Sequence, residues 1–163
     1  MPRPELTPAE IMAILPATAD QIADIASGLS SEELNARPTP GDWSINYILA
    51  HLRSSEVVLG GQMMRIVAED HPSWKRLSPR EYIRRTDFPG WQFEPALEAF
   101  RAHRAQLLDV LTPLPEQGWL RTALVTDSPG KVVDHTLRFY GNWLADHERG
   151  HVDQIREIAA TCR

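Results

Sequence analysis

Four stretches of the chain repeat apolar residues at helical spacing, and breaks rich in proline and glycine separate them. The first opens at Thr7-Pro8-Ala9-Glu10. A hydroxyl cap, a proline at the first helical position and a glutamate three residues after the cap make a capping box. Ile11, Leu15, Ile22 and Ile25 then share a face, Pro16 predicts a kink and Gly28 a stop. Ser30 to Glu33 repeats the start signal for a short turn ahead of the Pro38-Thr39-Pro40-Gly41 break. The second segment runs from about Trp43-Ser44 to Asp70, with Asp42 or Ser44 as cap. Ile48, Leu52, Ser55, Leu59 and Ile66 fall close to one line on it, flanked by His51 and Gln62. Gly60-Gly61 predicts either a bend or a close approach by another helix.

The connection from His71 to Trp91 is long for adjacent antiparallel helices, and it carries its own capped turn at Ser78-Pro79-Arg80-Glu81. A crossover along the bundle, with the second and third helices running in the same direction, explains that length. The third helix starts near Glu94-Pro95, places Leu97, Phe100, Arg104, Leu107, Leu108 and Leu111 on one face, and ends at Pro113 and Pro115. Ala123 to Thr126 and Lys131 to Val133, joined through Asp127-Ser128-Pro129-Gly130, predict a small β-hairpin. The fourth helix opens near Thr136 and continues to about Ala160, with Leu137, Tyr140, Leu144, His147, His151, Ile155 and Ile158 as its inward stripe. The fold class is therefore an all-α four-helix bundle, one domain over residues 1–163.

Composition narrows the function. Hydrophobic residues make up 42% and charged residues 24% of 163, the mix of a soluble globular domain. Net charge is −5, from 17 Lys and Arg against 22 Asp and Glu, which leaves no basic footprint for nucleic acid. No apolar run approaches the roughly 20 residues needed to span a bilayer. The N-terminus lacks the apolar core of a signal peptide, and the single cysteine, Cys162, excludes an intrachain disulfide. A cytoplasmic location is expected.

Chemistry concentrates on three histidines. His147 and His151 are four residues apart, so a helix brings both imidazoles to one face. His51 lies on the second helix at a height that matches theirs if helices two and four pack antiparallel. Three neutral imidazoles suit Zn, Ni, Fe or Cu and leave coordination positions open. The alternative is three hydrogen-bonded core histidines. The run His147-Glu148-Arg149-Gly150-His151 also fits the His-Glu-x-x-His pattern of zinc proteases. Only a dozen residues follow it, which leaves no room for that family's downstream ligand. Glu148 reads equally as a partner for water at the metal and as a solvated flank residue.

Other candidates are weaker. Arg104 could meet a substrate carboxylate, but the simpler reading packs its stem at the bundle edge with its head in water. Ser55 and Gln62 could line a pocket or merely satisfy each other. His71, His103 and His135 read as surface residues. Trp43, Trp74, Trp91 and Trp119 lie near element ends and read as caps on the core. Phe139, Trp143 and Gly150 form a second stripe, either wider core or a homodimer surface.

In order and spacing, Trp43-Ser44, His51-Leu52, Thr136-Leu137 and Asp146-His147-x-x-x-His151-x-x-Gln154-Ile155 resemble the DinB-like superfamily, also called YfiT-like metal-dependent hydrolases. The resemblance covers essentially the whole chain. It implies an up-down-down-up bundle and a divalent ion, commonly Ni or Zn, held by His51, His147 and His151. Its characterised members include transferases that use a low-molecular-weight thiol, bacillithiol or mycothiol, and a thiol-dependent isomerase. Two functions follow as expectations. One is a metal-dependent enzyme acting on a small-molecule substrate, as a thiol S-transferase or a hydrolase, with no residue assigned as acid or base. The other is a non-catalytic, metal-stabilised bundle that serves dimerisation or partner binding.

Overall fold

The computed structural model describes residues 3–163. Helix α1 (Pro8–Ile14) starts at the expected capping box on Thr7, and a 3-10 turn at Leu15–Ala17 leads into α2 (Thr18–Ala26). Pro16 has no amide hydrogen to continue the helical ladder, so the kink forms there. Helix α3 (Ser31–Asn35) carries the second capping box. The second bundle helix begins as α4 (Ile45–Ser55), capped by the Ser44 hydroxyl, and ends as α5 (Gly61–Ala68). Between them, residues Glu56–Gly60 wind as a π-turn. Both anticipated effects of the glycine pair are present. The helix is locally unwound, and a Cβ on Gly60 would sit 3.5 Å from Leu107 of the third helix.

The crossover contains β1 (Ser73–Lys75) and α6 (Pro79–Ile83), and α7 (Phe93–Leu111) follows. After it, β2 (Thr122–Ser128) and β3 (Lys131–Thr136) form the expected hairpin, turning at Gly130 with φ of 78°. One strand was not expected. β1 pairs in parallel with β2, Trp74 opposite Val125, to give a three-stranded sheet in the order β1-β2-β3. Three residues are too few to show alternation, so nothing in Ser73-Trp74-Lys75 announces a strand. Helix α8 (Leu137–Thr161) is capped by Thr136.

Two buried clusters give the helices their directions. Ile45, Phe93 and Ile155 belong to one cluster with Ile22 and Ala26, whereas Leu59, Leu107 and Leu144 belong to the other with Ile11 and Leu15. The first and fourth helices therefore run from the second cluster toward the first, and the second and third run back. This is the up-down-down-up order that the crossover demands. Antiparallel packing of α4 against α8 follows.

Candidate metal centre

Antiparallel packing brings the three histidines together. The His147 Nε2 atom lies 3.0 Å from His51 Nε2 and 3.1 Å from His151 Nε2. One ligand atom from each ring falls within 4.8 Å of the others. Nitrogens held at about 2.0–2.1 Å around one ion would be separated by roughly 2.9–3.4 Å, so the two short spacings match a shared ion.

Protonation fits as well. The His151 Nδ1–H donates to Gln154 Oε1 at 2.9 Å, which assigns the proton to Nδ1 and leaves the Nε2 lone pair facing its neighbours. Burial, reinforced by the other two imidazoles, pushes the His51 pKa down to about 3. Burial and then His151 push that of His147 down to about 4. Burial also lowers His151, against the opposing hydrogen bond to Gln154. All three rings are therefore neutral ligands near pH 7. With the His151 proton on Nδ1, the three clustered Nε2 atoms cannot all be satisfied by one another in any tautomer of His51 and His147, and a cation resolves the conflict.

The stripe on α8 differs from the expected one in rotation. Its buried line runs through Leu144, Ala145, Glu148, Val152, Ile155 and Ala159, whereas His147 and His151 are only half-buried. His51 is the deep member, 3% exposed. The histidines thus lie on the flank of the core, along the groove between α4 and α8. Trp43 closes one side. Its ring centroid is 4.9 Å from that of His51 and 5.9 Å from that of His151, nearly parallel to the latter. Trp43 is a wall of the site rather than a simple cap on the core.

Glu148 and Arg104 require correction too. Neither reaches water, with exposures of 1% and 3%. The Arg104 guanidinium grips Glu56 through Nε at 3.1 Å and Nη2 at 2.6 Å, and it pairs with Glu148 through Nη1 at 3.2 Å and through Nη2. The Leu15 carbonyl accepts from Arg104 Nη1 at 2.6 Å, and Thr18 Oγ1 donates to Glu148 at 2.7 Å. One buried ionic hub therefore ties all four bundle helices together. Burial alone would depress the guanidinium, but Glu148 and then Glu56 raise it, so Arg104 stays charged. Burial pushes the Glu148 carboxyl up against the pull of Arg104, as expected where two carboxylates share one cation. Glu148 is thus committed to structure and is not free to serve as a general base.

The remaining candidates separate. Ser55 turns its hydroxyl back to the His51 carbonyl at 3.1 Å. His71 pairs with Asp134 at 2.8 Å on the surface, and His135 stacks on Phe139 with centroids 3.9 Å apart. A cavity of about 510 Å³ opens between the crossover, the sheet and α8, with Gln62, Trp74, Leu77, Tyr140, Trp143 and Asp146 among its walls. His51, His147 and His151 do not line it, but Trp143 and Asp146 place its near end within one turn of His147. Arg80, at the start of α6, lies over Trp43 with its guanidinium carbon 5.3 Å from the ring centroid. No spacing in the sequence links Arg80 to the histidines, because only the path of the crossover brings them together. Gln154 was legible in principle, three residues beyond His151 on the same helix face.

The comparisons with known proteins agree with this fold. A family model described as the DinB superfamily matches residues 14–155, which include all three histidines. The chain is 27% identical over 148 residues to "Uncharacterized protein YuaE" of Bacillus subtilis (strain 168), covering 80% of this chain and 86% of that one. It is 24% identical over 131 residues to "Putative metal-dependent hydrolase GK0616" of Geobacillus kaustophilus (strain HTA426), covering 80% and 74%. Among solved structures, YfiT from Bacillus subtilis is described as a probable metal-dependent hydrolase with an unusual four-helix bundle topology. It superposes with a TM-score of 0.79 at 15% identity over 99% of this chain and 93% of its own, a likeness of fold.

Proposed function

The chain belongs to the DinB superfamily, and on that premise we propose that it is a metal-dependent hydrolase of small molecules whose ion is held by His51, His147 and His151. The observation that carries this reading is the meeting of three Nε2 atoms from two helices, two of their spacings being 3.0 and 3.1 Å. Three neutral imidazoles suit several divalent ions, and of these zinc and nickel are the two that the family resemblance implies. Such an ion, when bound, supplies Lewis-acid polarisation and acidifies water.

The chain's own residues supply the rest. Gln154 fixes the ring of His151 and its tautomer. Trp43 shields two ligand rings on one side. The ionic hub beneath holds the helices that carry His51 and His147 in register. The adjacent cavity is of a size that accepts a small organic molecule, and Trp74, Tyr140 and Trp143 give it aromatic walls. A low-molecular-weight thiol entering at the same place would make the protein an S-transferase, and the metal would then lower the thiol's pKa.

Elemental analysis of untagged protein tests the reading. About one zinc or nickel per chain is expected, falling to a small fraction in a folded His51→Ala variant. Turnover of a panel of esters, amides and thiol acceptors should fall in parallel. Full metal content in His51→Ala, or turnover unaffected by chelation, would refute it.

A further inference from the structure

Arg80 is a cation over Trp43, the aromatic wall of the histidine site, with no acidic partner. Its side chain is exposed, and among the described residues no carboxylate lies within 4.0 Å of its guanidinium. Glu81 beside it in sequence and the aspartates that flank the histidines on α8 are engaged elsewhere. Glu81 accepts from the Ser78 amide at 3.1 Å in the capping box. Asp146 is paired with Arg149, and Asp153 with Arg156 at 2.6 Å. Arg80 is nevertheless anchored. Ser78 caps the short helix on which it sits, Pro79 beside it is buried, and its guanidinium rests on the Trp43 indole. That indole in turn lies against the rings of His51 and His151.

A guanidinium stacked on an aromatic face keeps its in-plane N–H groups free, and that fork matches the two oxygens of a carboxylate or phosphate. The crossover also links the two places a substrate would occupy, since Trp74 and Leu77 wall the cavity and Arg80 stands over Trp43, whose ring abuts His51 and His151. We propose that Arg80 is a specificity residue that binds an oxyanion of the substrate, so that the site takes small molecules bearing a carboxylate or phosphate near the reacting bond. The inference rests on the metal-site reading above. Arg80 does not hold the metal and transfers no proton. It selects and orients.

The test uses cobalt-reconstituted full-length protein, whose absorption reports ligands at the metal, and three hydroxamates. Acetohydroxamate is the neutral probe. Succinic monohydroxamate adds a carboxylate and phosphonoacetohydroxamate a phosphonate, which separates the two oxyanion sources. At least one charged probe should bind about 10-fold tighter than acetohydroxamate. Arg80→Gln should abolish that advantage, leave acetohydroxamate binding within about two-fold and keep the metal content. Arg80→Lys should retain part of the advantage, as a point charge without the fork.

Equal binding of all three probes to the unaltered protein overturns the proposal, and so does an advantage that survives Arg80→Gln. An equal weakening of all three in that variant would mean that Arg80 only supports Trp43, and this too overturns it. If the protein takes up no cobalt, the metal reading itself fails and this inference with it. That failure is distinct from cobalt uptake in which charge brings no gain.

Discussion

Replacing Arg104 with methionine should cost on the order of 3–5 kcal/mol of stability at about pH 7.5, the usual penalty for breaking a buried ion pair by removing one partner. The structure places this site at the severe end. Glu56 and Glu148 are 3% and 1% exposed, and both rely on the same guanidinium. Methionine fills the space of the stem but leaves two carboxylates facing each other without a counter-charge. For a chain of this size the loss corresponds to a fall in melting temperature of roughly 6–20 °C.

The pH dependence identifies the cause. Without the cation, nothing opposes the burial that raises the Glu148 carboxyl above its unfolded value of about 4.3, so the folded variant binds more protons than the unfolded chain. Its stability is then highest below that unfolded pKa and declines as pH rises through the folded pKa. Urea denaturation of protein and variant at about pH 5 and pH 7.5 should show a gap that widens with pH. Adding Glu56→Gln and Glu148→Gln should recover much of the loss and flatten its pH dependence, since a neutral hub strands no charge. A loss below about 1 kcal/mol, or one that does not change with pH, would refute the assignment of Arg104 as the counter-ion of both carboxylates.

Four further outcomes follow from the geometry. Gln154→Leu removes the acceptor of the His151 Nδ1–H, so metal affinity should fall about 10–100-fold with the fold intact, as read by chelator competition. Because the His51 and His147 pKa values are depressed to about 3 and about 4, the unfolded chain binds more protons than the folded one below about pH 6.5. The metal-free protein should therefore lose stability as pH falls from there through 4 and 3. His51 and His147 should therefore cost metal affinity little between about pH 7.5 and 5.5, where exposed imidazoles would each lose roughly 10-fold. A Cβ at Gly141 would meet Trp119 at 3.0 Å and Ile11 at 3.2 Å, so Gly141→Ala should destabilise by about 1–3 kcal/mol in calorimetry.

The bundle was legible because its signals are local and redundant. Ser44 caps α4, Thr136 caps α8, and three capping boxes open α1, α3 and α6, each a motif of four residues. His51 could be placed beside His147 and His151 because helical rise converts sequence position into height. The rotation of α8 was harder to read. Assigning the inward stripe by hydrophobicity puts the two histidines at its centre and Glu148 at its edge, since a glutamate counts as polar wherever it lies. Glu148 is instead at the centre, because Arg104 from α7 and Thr18 from α2 meet it there. Glu56 and Arg104 were obscured for the same reason. A buried charge is recognised only together with its partner, and these partners are 44 and 48 residues apart in sequence.

That rotation bears on what the site can do. With His147 and His151 at the centre of the buried face, an ion would sit among hydrocarbon with its remaining positions closed, as in a structural site. Turning α8 so that Glu148 faces inward moves both imidazoles to the groove, where they are half-buried and His151 lies against Trp43. The ionic hub and the metal site are in this sense one arrangement. Glu148, next to His147 in sequence, sets the angle at which His147 leaves the helix, and Glu56, a turn beyond His51, sets the phase of the opposing helix where it unwinds at Glu56–Gly60. A neutral hub that restores stability need not restore that angle, because amides hold the guanidinium's place less rigidly than paired carboxylates do. The triple variant Glu56→Gln/Arg104→Met/Glu148→Gln should therefore regain most of its melting temperature yet bind metal more weakly than the unaltered protein. Metal affinity that returns fully with stability would show that the hub holds the fold together without setting the angle of the ligands.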